Sequence, residues 1–167
     1  MNNMKNRQDQ INRKVENLLD RMTLEEMILQ TDQYFSQDFT IREKKDGAEF
    51  YIAASRLSRL WAQFFALQSD PKITVPAIRI LCLYGKIMAR SGDLIDMADD
   101  DYVPLRIALV KRLLADVNDL MGLFTTLRET FPDSSECAEC ADFHFESLMT
   151  FREKLFALLK KYRTAVK

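Results

Sequence analysis

Glycine and proline are scarce in this chain, four of each in 167 residues. Strand-and-turn architectures consume both residues at their turns, so the scarcity argues against a sandwich or a barrel. Cysteine numbers three and histidine one. An odd, low cysteine count offers no disulfide framework. A single imidazole leaves His144 as the sole base for any serine or cysteine nucleophile. No run of about 18 apolar residues occurs, so no membrane-crossing helix is expected. Neither charge sign dominates: 24 basic residues face 25 acidic ones, a net of −1. Nucleic-acid binders usually carry a basic excess to neutralise phosphates, and without one nucleic acid is not an expected partner. The opening residues, MNNMKNRQDQINRK, contain no apolar core, so no signal peptide is expected and a reducing cytoplasm is the expected compartment.

What the chain does have is a globular composition, 47% apolar and 29% charged, in a length that suits one domain. Folding at that size buries about two-thirds of the surface of the extended chain, enough for a self-sufficient core. The apolar residues recur at helical spacing almost throughout. Ile11, Val15, Leu18, Leu19 and Met22 share one face. Thr23 with Glu26 forms a capping-box pattern, in which the hydroxyl accepts a backbone N–H three residues on and the glutamate reaches back. A second short helix follows, with Leu24, Met27, Ile28 and Phe35 inward. Ser36 to Gly47 is polar and reads as a linker.

From Ala48 the stripes lengthen. Phe50, Leu57, Leu60, Trp61, Phe64 and Phe65 predict a helix ending near Gln68. SDPK is a turn, and Pro76 suits the first turn of the next helix, where a missing N–H costs nothing. That helix, over about 76–91, is apolar nearly all round, which predicts a central, buried element. Pro104 opens a third, with Ile107, Val110, Leu114, Val117, Met121 and Phe124 on one face. FPDSS breaks it, and a serine there is placed to cap the last helix, striped by Leu148, Phe151, Leu155, Leu158 and Tyr162. Short connections favour antiparallel neighbours. The reading is all-α: a four-helix bundle over 47–167, preceded by an N-terminal helical arm and linker over 1–46.

One segment resembles a known family. Lys14 to Glu26, KVENLLDRMTLEE, is similar to the N-terminal helix of family 3 glycoside hydrolases, and Ile28 to Thr40 is similar to a subset of them. The resemblance implies a carbohydrate-linked ancestry and, in that family, a (β/α)8 barrel of about 250 residues. The remainder of this chain departs from it. The family's Ser-Asp-Trp motif is absent, because Trp61 follows Leu60, and its Lys-His pair is absent, because His144 follows Phe143. The matched segment carries no catalytic group in the family, so no site residue transfers.

Three constellations bear on chemistry. In ECAECADFH, Cys137, Cys140 and His144 fall at i, i+3 and i+7, on one helical face. Thiolate and imidazole suit Zn²⁺, Cys-x-x-Cys also occurs in redox pairs, and the same positions continue the apolar stripe as the end of a core. DLIDMADDD gathers five aspartates, which suit a hard cation or, more simply, a solvated loop whose last carboxylates cap the following helix. Arg56, Arg59, Arg79, Lys86 and Arg90 make either a phosphate-binding strip or a charged solvent face. None completes an active site. The expectation is a non-enzymatic interaction or assembly protein without a cofactor, its partner a protein or a second copy, met through Val15, Leu18, Leu19, Met27, Phe35 and Trp61. A truncated or accessory glycosidase-related fragment and a small metal-binding bundle are the alternatives.

Overall fold

A computed structural model describes residues 45–97 and 102–166. These form four α-helices: α1 (Ala48–Ala66), α2 (Thr74–Asp96), α3 (Val103–Thr130) and α4 (Glu136–Ala165). No strand occurs among the described residues. The arm expected over 1–46 lies outside them except for its last two residues.

Local chemistry sets each boundary. Gly47 starts α1 with φ 101°, a left-handed conformation that glycine alone adopts without cost. It also touches α2 closely: a Cβ at this position would lie 2.8 Å from the Ser91 carbonyl oxygen and 3.1 Å from the Ile95 nitrogen. The last turn of α1 tightens as the Leu67 and Gln68 N–H groups donate to the Phe64 and Phe65 carbonyls. Asp70 then accepts the Lys72 N–H at 2.9 Å and caps a 3₁₀ turn over Pro71–Ile73. This turn leads directly into α2, which therefore begins at Thr74 and leaves Pro76 inside its first turn. Ser135 caps α4, its hydroxyl accepting the Ala138 N–H at 3.2 Å, and Glu136 and Glu139 add negative charge at the positive end of the helix dipole.

Cross-helix pairs define the topology. Trp61 bonds to Ala77 and Gly47 packs on Ser91, so α1 and α2 run antiparallel. Arg90 reaches Asp116 and Arg112 on α3. Arg128 pairs with Asp142, and Arg106 lies over the Tyr162 ring near the other end, which sets α3 antiparallel to α4. Phe50 meets Phe151 while Trp61 meets His144, closing α4 back onto α1. The result is an up-down-up-down four-helix bundle. Its core is continuous, with Ile80, Ile87, Val110, Leu113, Val117, Leu120 and Leu155 wholly shielded from water.

Two expectations change. α2 is not enclosed on all sides: Val75, Ile78 and Cys82 are exposed. Its all-round apolarity exceeds what one four-helix ring covers. The aspartate run is not purely a loop, since Asp93 and Asp96 belong to the last turn of α2, while Asp99 to Asp101 lie outside the described residues. The N-cap of α3 is Tyr102, which makes no side-chain capping bond; the capping expected of the last aspartates falls on residues outside the described ones.

Gly47→Ala meets both a forbidden backbone region and an occupied space. It is expected to destabilise the full chain by about 2 kcal/mol or more, read as a lowered midpoint in denaturant unfolding with an unchanged slope.

Candidate functional site

The centre of the bundle is a layer to which each helix contributes one ring: Trp61 from α1, Tyr84 from α2, Phe124 from α3 and His144 from α4. Helical stripes bring them inward, and all four are almost wholly buried. His144 stacks on Phe124 with centroids 4.8 Å apart and planes 12° apart. Trp61 stands edge-on to both, 5.3 Å from Phe124 and 5.7 Å from His144. Its indole N–H donates to the Ala77 carbonyl at 3.1 Å. Polar atoms enclosed this way need partners, and Tyr84 supplies one: its hydroxyl lies 2.6 Å from His144 Nδ1.

Burial sets the charge of this pair. It lowers His144 to about 4 and holds Tyr84 well above its ordinary value, with the nearby Cys140 adding in the same direction. Both groups are neutral near pH 7. We assign the phenol O–H as donor to Nδ1, with the remaining imidazole proton on Nε2.

The structure separates the sequence's candidates. Trp61, expected at a partner surface, is 0% exposed and is a core residue, because its N–H is satisfied by a carbonyl sixteen residues away. Val15, Leu18, Leu19, Met27 and Phe35 lie outside the described residues. Cys137 and His144 are buried and Cys140 is half-buried. Among the described residues no three histidine, cysteine, aspartate or glutamate side chains come together in a way that holds a metal ion, and His144 Nδ1 is engaged by Tyr84. Burial pushes the Cys137 thiol up to about 11, helped by the Asp70 carboxylate, and the Cys140 thiol up to about 12, helped by Cys137. Metal ligation and thiol exchange both use the thiolate, which this environment disfavours. Of the basic strip, Arg90 is committed to Asp116.

Sequence reading missed a groove on the surface. α1 and α4 meet more sparsely than the other neighbouring pairs, and a groove of about 310 Å³ runs along their seam. Phe50, Ala53, Leu57 and Leu60 line it from α1, and Phe143, Ser147, Thr150 and Phe151 from α4. A Lys154–Glu49 ion pair crosses it. A second hollow of about 460 Å³ continues past that pair to Lys45, Asp46, Leu158 and Lys161. Phe143, 51% exposed, was legible only as the neighbour of His144. No protein-family model, curated protein or solved structure matches this chain.

The neutral His144 makes stability depend on pH. Its pKa in the unfolded chain is near 6.5 and in the folded chain about 4, so between those values the unfolded state binds more protons. Stability is complete above pH 6.5 and falls as pH drops towards 4, by roughly 3 kcal/mol at most. Tyr84→Phe orphans Nδ1 and is expected to cost about 1–2 kcal/mol, whereas Tyr84→Phe with His144→Phe removes both polar partners and costs less than the two single changes summed. Urea unfolding at pH 7.5 and pH 5 checks both statements, the double variant losing the part of the pH dependence that His144 supplies.

Proposed function

We propose that this chain is a non-enzymatic helical interaction protein, and that the seam between α1 and α4 receives an amphipathic helix of a protein partner. The observation that carries the reading is the seam itself, an apolar floor with a half-exposed phenylalanine. Helix-in-groove recognition uses this kind of surface, with anchors at i, i+3, i+4 and i+7 of the incoming helix. The rim gives the partner its chemistry. Lys45, Arg56, Lys154 and Lys161 border the two hollows against Asp46 and Glu49, a net basic rim that suits a helix with acidic residues beside its apolar stripe. The neutral histidine–tyrosine pair and the protonated thiols support a structural rather than catalytic role for the core. Three free cysteines support a reducing compartment such as the cytoplasm. Among the described residues no helix is long and apolar enough to cross a membrane.

A second reading, a fragment related to family 3 glycoside hydrolases, rests on the resemblance of Lys14 to Thr40. Coding DNA on either side of the chain tests it, since an in-frame barrel sequence would favour it and random flanking sequence would remove it.

For the leading reading, a photo-crosslinking amino acid is placed at Phe143 in the full chain, with Glu153 as an exposed control position, and both are irradiated in host extract. The expected result is a partner peptide captured at position 143 and not at 153, with apolar residues at helical spacing and acidic flanks. Equal capture at both positions, or a peptide without that pattern, would refute the seam as the binding site.

A further inference from the structure

The chain has one histidine and one tryptophan, and the bundle sets them against each other. His144 of α4 is 1% exposed and Trp61 of α1 is 0% exposed. The indole covers the imidazole from the α1 side, with the two planes at 89°. Phe143 meets the same imidazole edge-on at 5.4 Å, and Phe143 also lines the groove between α1 and α4. His144 therefore lies one ring behind that groove.

The layer makes no provision for a charge on His144. From α2 it faces the Tyr84 hydroxyl. Cys140, one turn earlier on α4, lies close enough to Tyr84 to act on it, and its thiol is protonated. α1 presents Trp61 and α3 presents Phe124, neither of which titrates. Asp142, two residues before His144, is turned to solvent and paired with Arg128. Burial is the one influence that moves the imidazole from its ordinary value. A proton added at Nδ1 turns the acceptor of the Tyr84 bond into a donor. The hydroxyl must then swing round, and its hydrogen points among aromatic rings. Such a site is rescued only by water.

The weakest wall is the one next to the groove. α1 and α4 meet more sparsely than the other neighbouring pairs, whereas Arg90 with Asp116 ties α2 to α3 and Arg128 with Asp142 ties α3 to α4. We propose that the bundle carries an acid-operated release: a proton on His144 loosens α1 from α4 along their seam, uncovering the imidazole and the groove floor, while the α2–α3 and α3–α4 packing persists. The imidazole takes a proton near 6.5 when solvated and near 4 when enclosed, so the open form gains as pH falls between those values. At pH 5 the ratio of open to closed molecules is about thirtyfold higher than at pH 7.5. The movement requires no occupant in the groove, so it stands independently of the partner-helix reading.

Hydrogen exchange of the full chain at pH 7.5 and pH 5, corrected for the intrinsic rate at each pH, tests it. A helix left with one packing neighbour in place of two frays, so α1 amides report the opening. The expected result is a loss of protection in α1 of about thirtyfold at pH 5, with a change of no more than a few-fold in α3. His144→Gln keeps an acceptor for the Tyr84 hydroxyl but does not titrate, and is expected to abolish the loss in α1. The rim pairs Lys154–Glu49 and Lys161–Asp46 remain in that variant, so a loss that persists there belongs to them and overturns the proposal. If that variant is not helical by circular dichroism at pH 7.5, Tyr84→Phe with His144→Phe, which removes both polar members of the pair, takes its place. Unchanged protection of α1 in the wild type, or an equal loss in α1 and α3, also overturns it, the latter because it marks global unfolding.

Discussion

The hydrogen bond between Tyr84 and His144 is the constraint around which the bundle is arranged. Apolar side chains slide past one another at little cost, so a bundle held by leucine and isoleucine alone is loosely specified in helix register and rotation. A buried phenol and a buried imidazole are different, since each forfeits its water and must find its partner within a few tenths of an ångström. That demand fixes α2 against α4, the two helices that sit across the ring from each other. Stacking of His144 on Phe124 and the edge contacts of Trp61 then locate α3 and α1 relative to the same point. The layer is one polar contact wrapped in three aromatic ones, and both members stay uncharged because ionising either would strand a charge in a water-free space.

Around this centre the four seams are unequal. Three are closed by interdigitated apolar stripes and by tethers such as Arg90 with Asp116 and Arg128 with Asp142. The fourth, between α1 and α4, is held mainly at Phe50–Phe151, at the central layer and by charged pairs at the rim. At its far end the Tyr162 hydroxyl donates to Asp46 at 2.8 Å and Lys161 meets the same carboxylate. The bundle is thus closed on three sides and more open on one, while Val75, Ile78 and Cys82 on the outward face of α2 are exposed elsewhere.

Much of this was legible from residue spacing. The stripes located all four helices, and Ser135 announced its cap because Ser before an acidic first turn has one strong local use. Other features depend on distant partners and left no local trace. Trp61 belonged to an aromatic stripe that periodicity cannot assign to core or surface, and the Ala77 carbonyl that decides the matter comes from another helix. α2 looked enclosed because Ile78, Leu81, Leu83 and Met88 widen its apolar stripe, yet Ile78 is exposed and the other three are only half-buried, so a one-sided helix passed for a central one. The carboxylates of Asp93 and Asp96 read as loop because aspartate is a poor helix former, yet Leu94 and Ile95 packing inward carried the helix past them. The seam was invisible, because a groove is a property of two helices, and sequence patterning speaks of one at a time.

The sparse contact between α1 and α4 has a kinetic side. The other three helix pairs are sequential hairpins, so their contacts form between segments close in the chain and need little loop closure. The α1–α4 seam alone joins the first and last described helices, and Lys154 to Glu49 spans 105 positions. Closing it is the costliest entropic step of assembly, and it is rewarded by the fewest contacts. The ring is therefore expected to close last and open first, so that the seam with its apolar floor is the place where the bundle parts most cheaply.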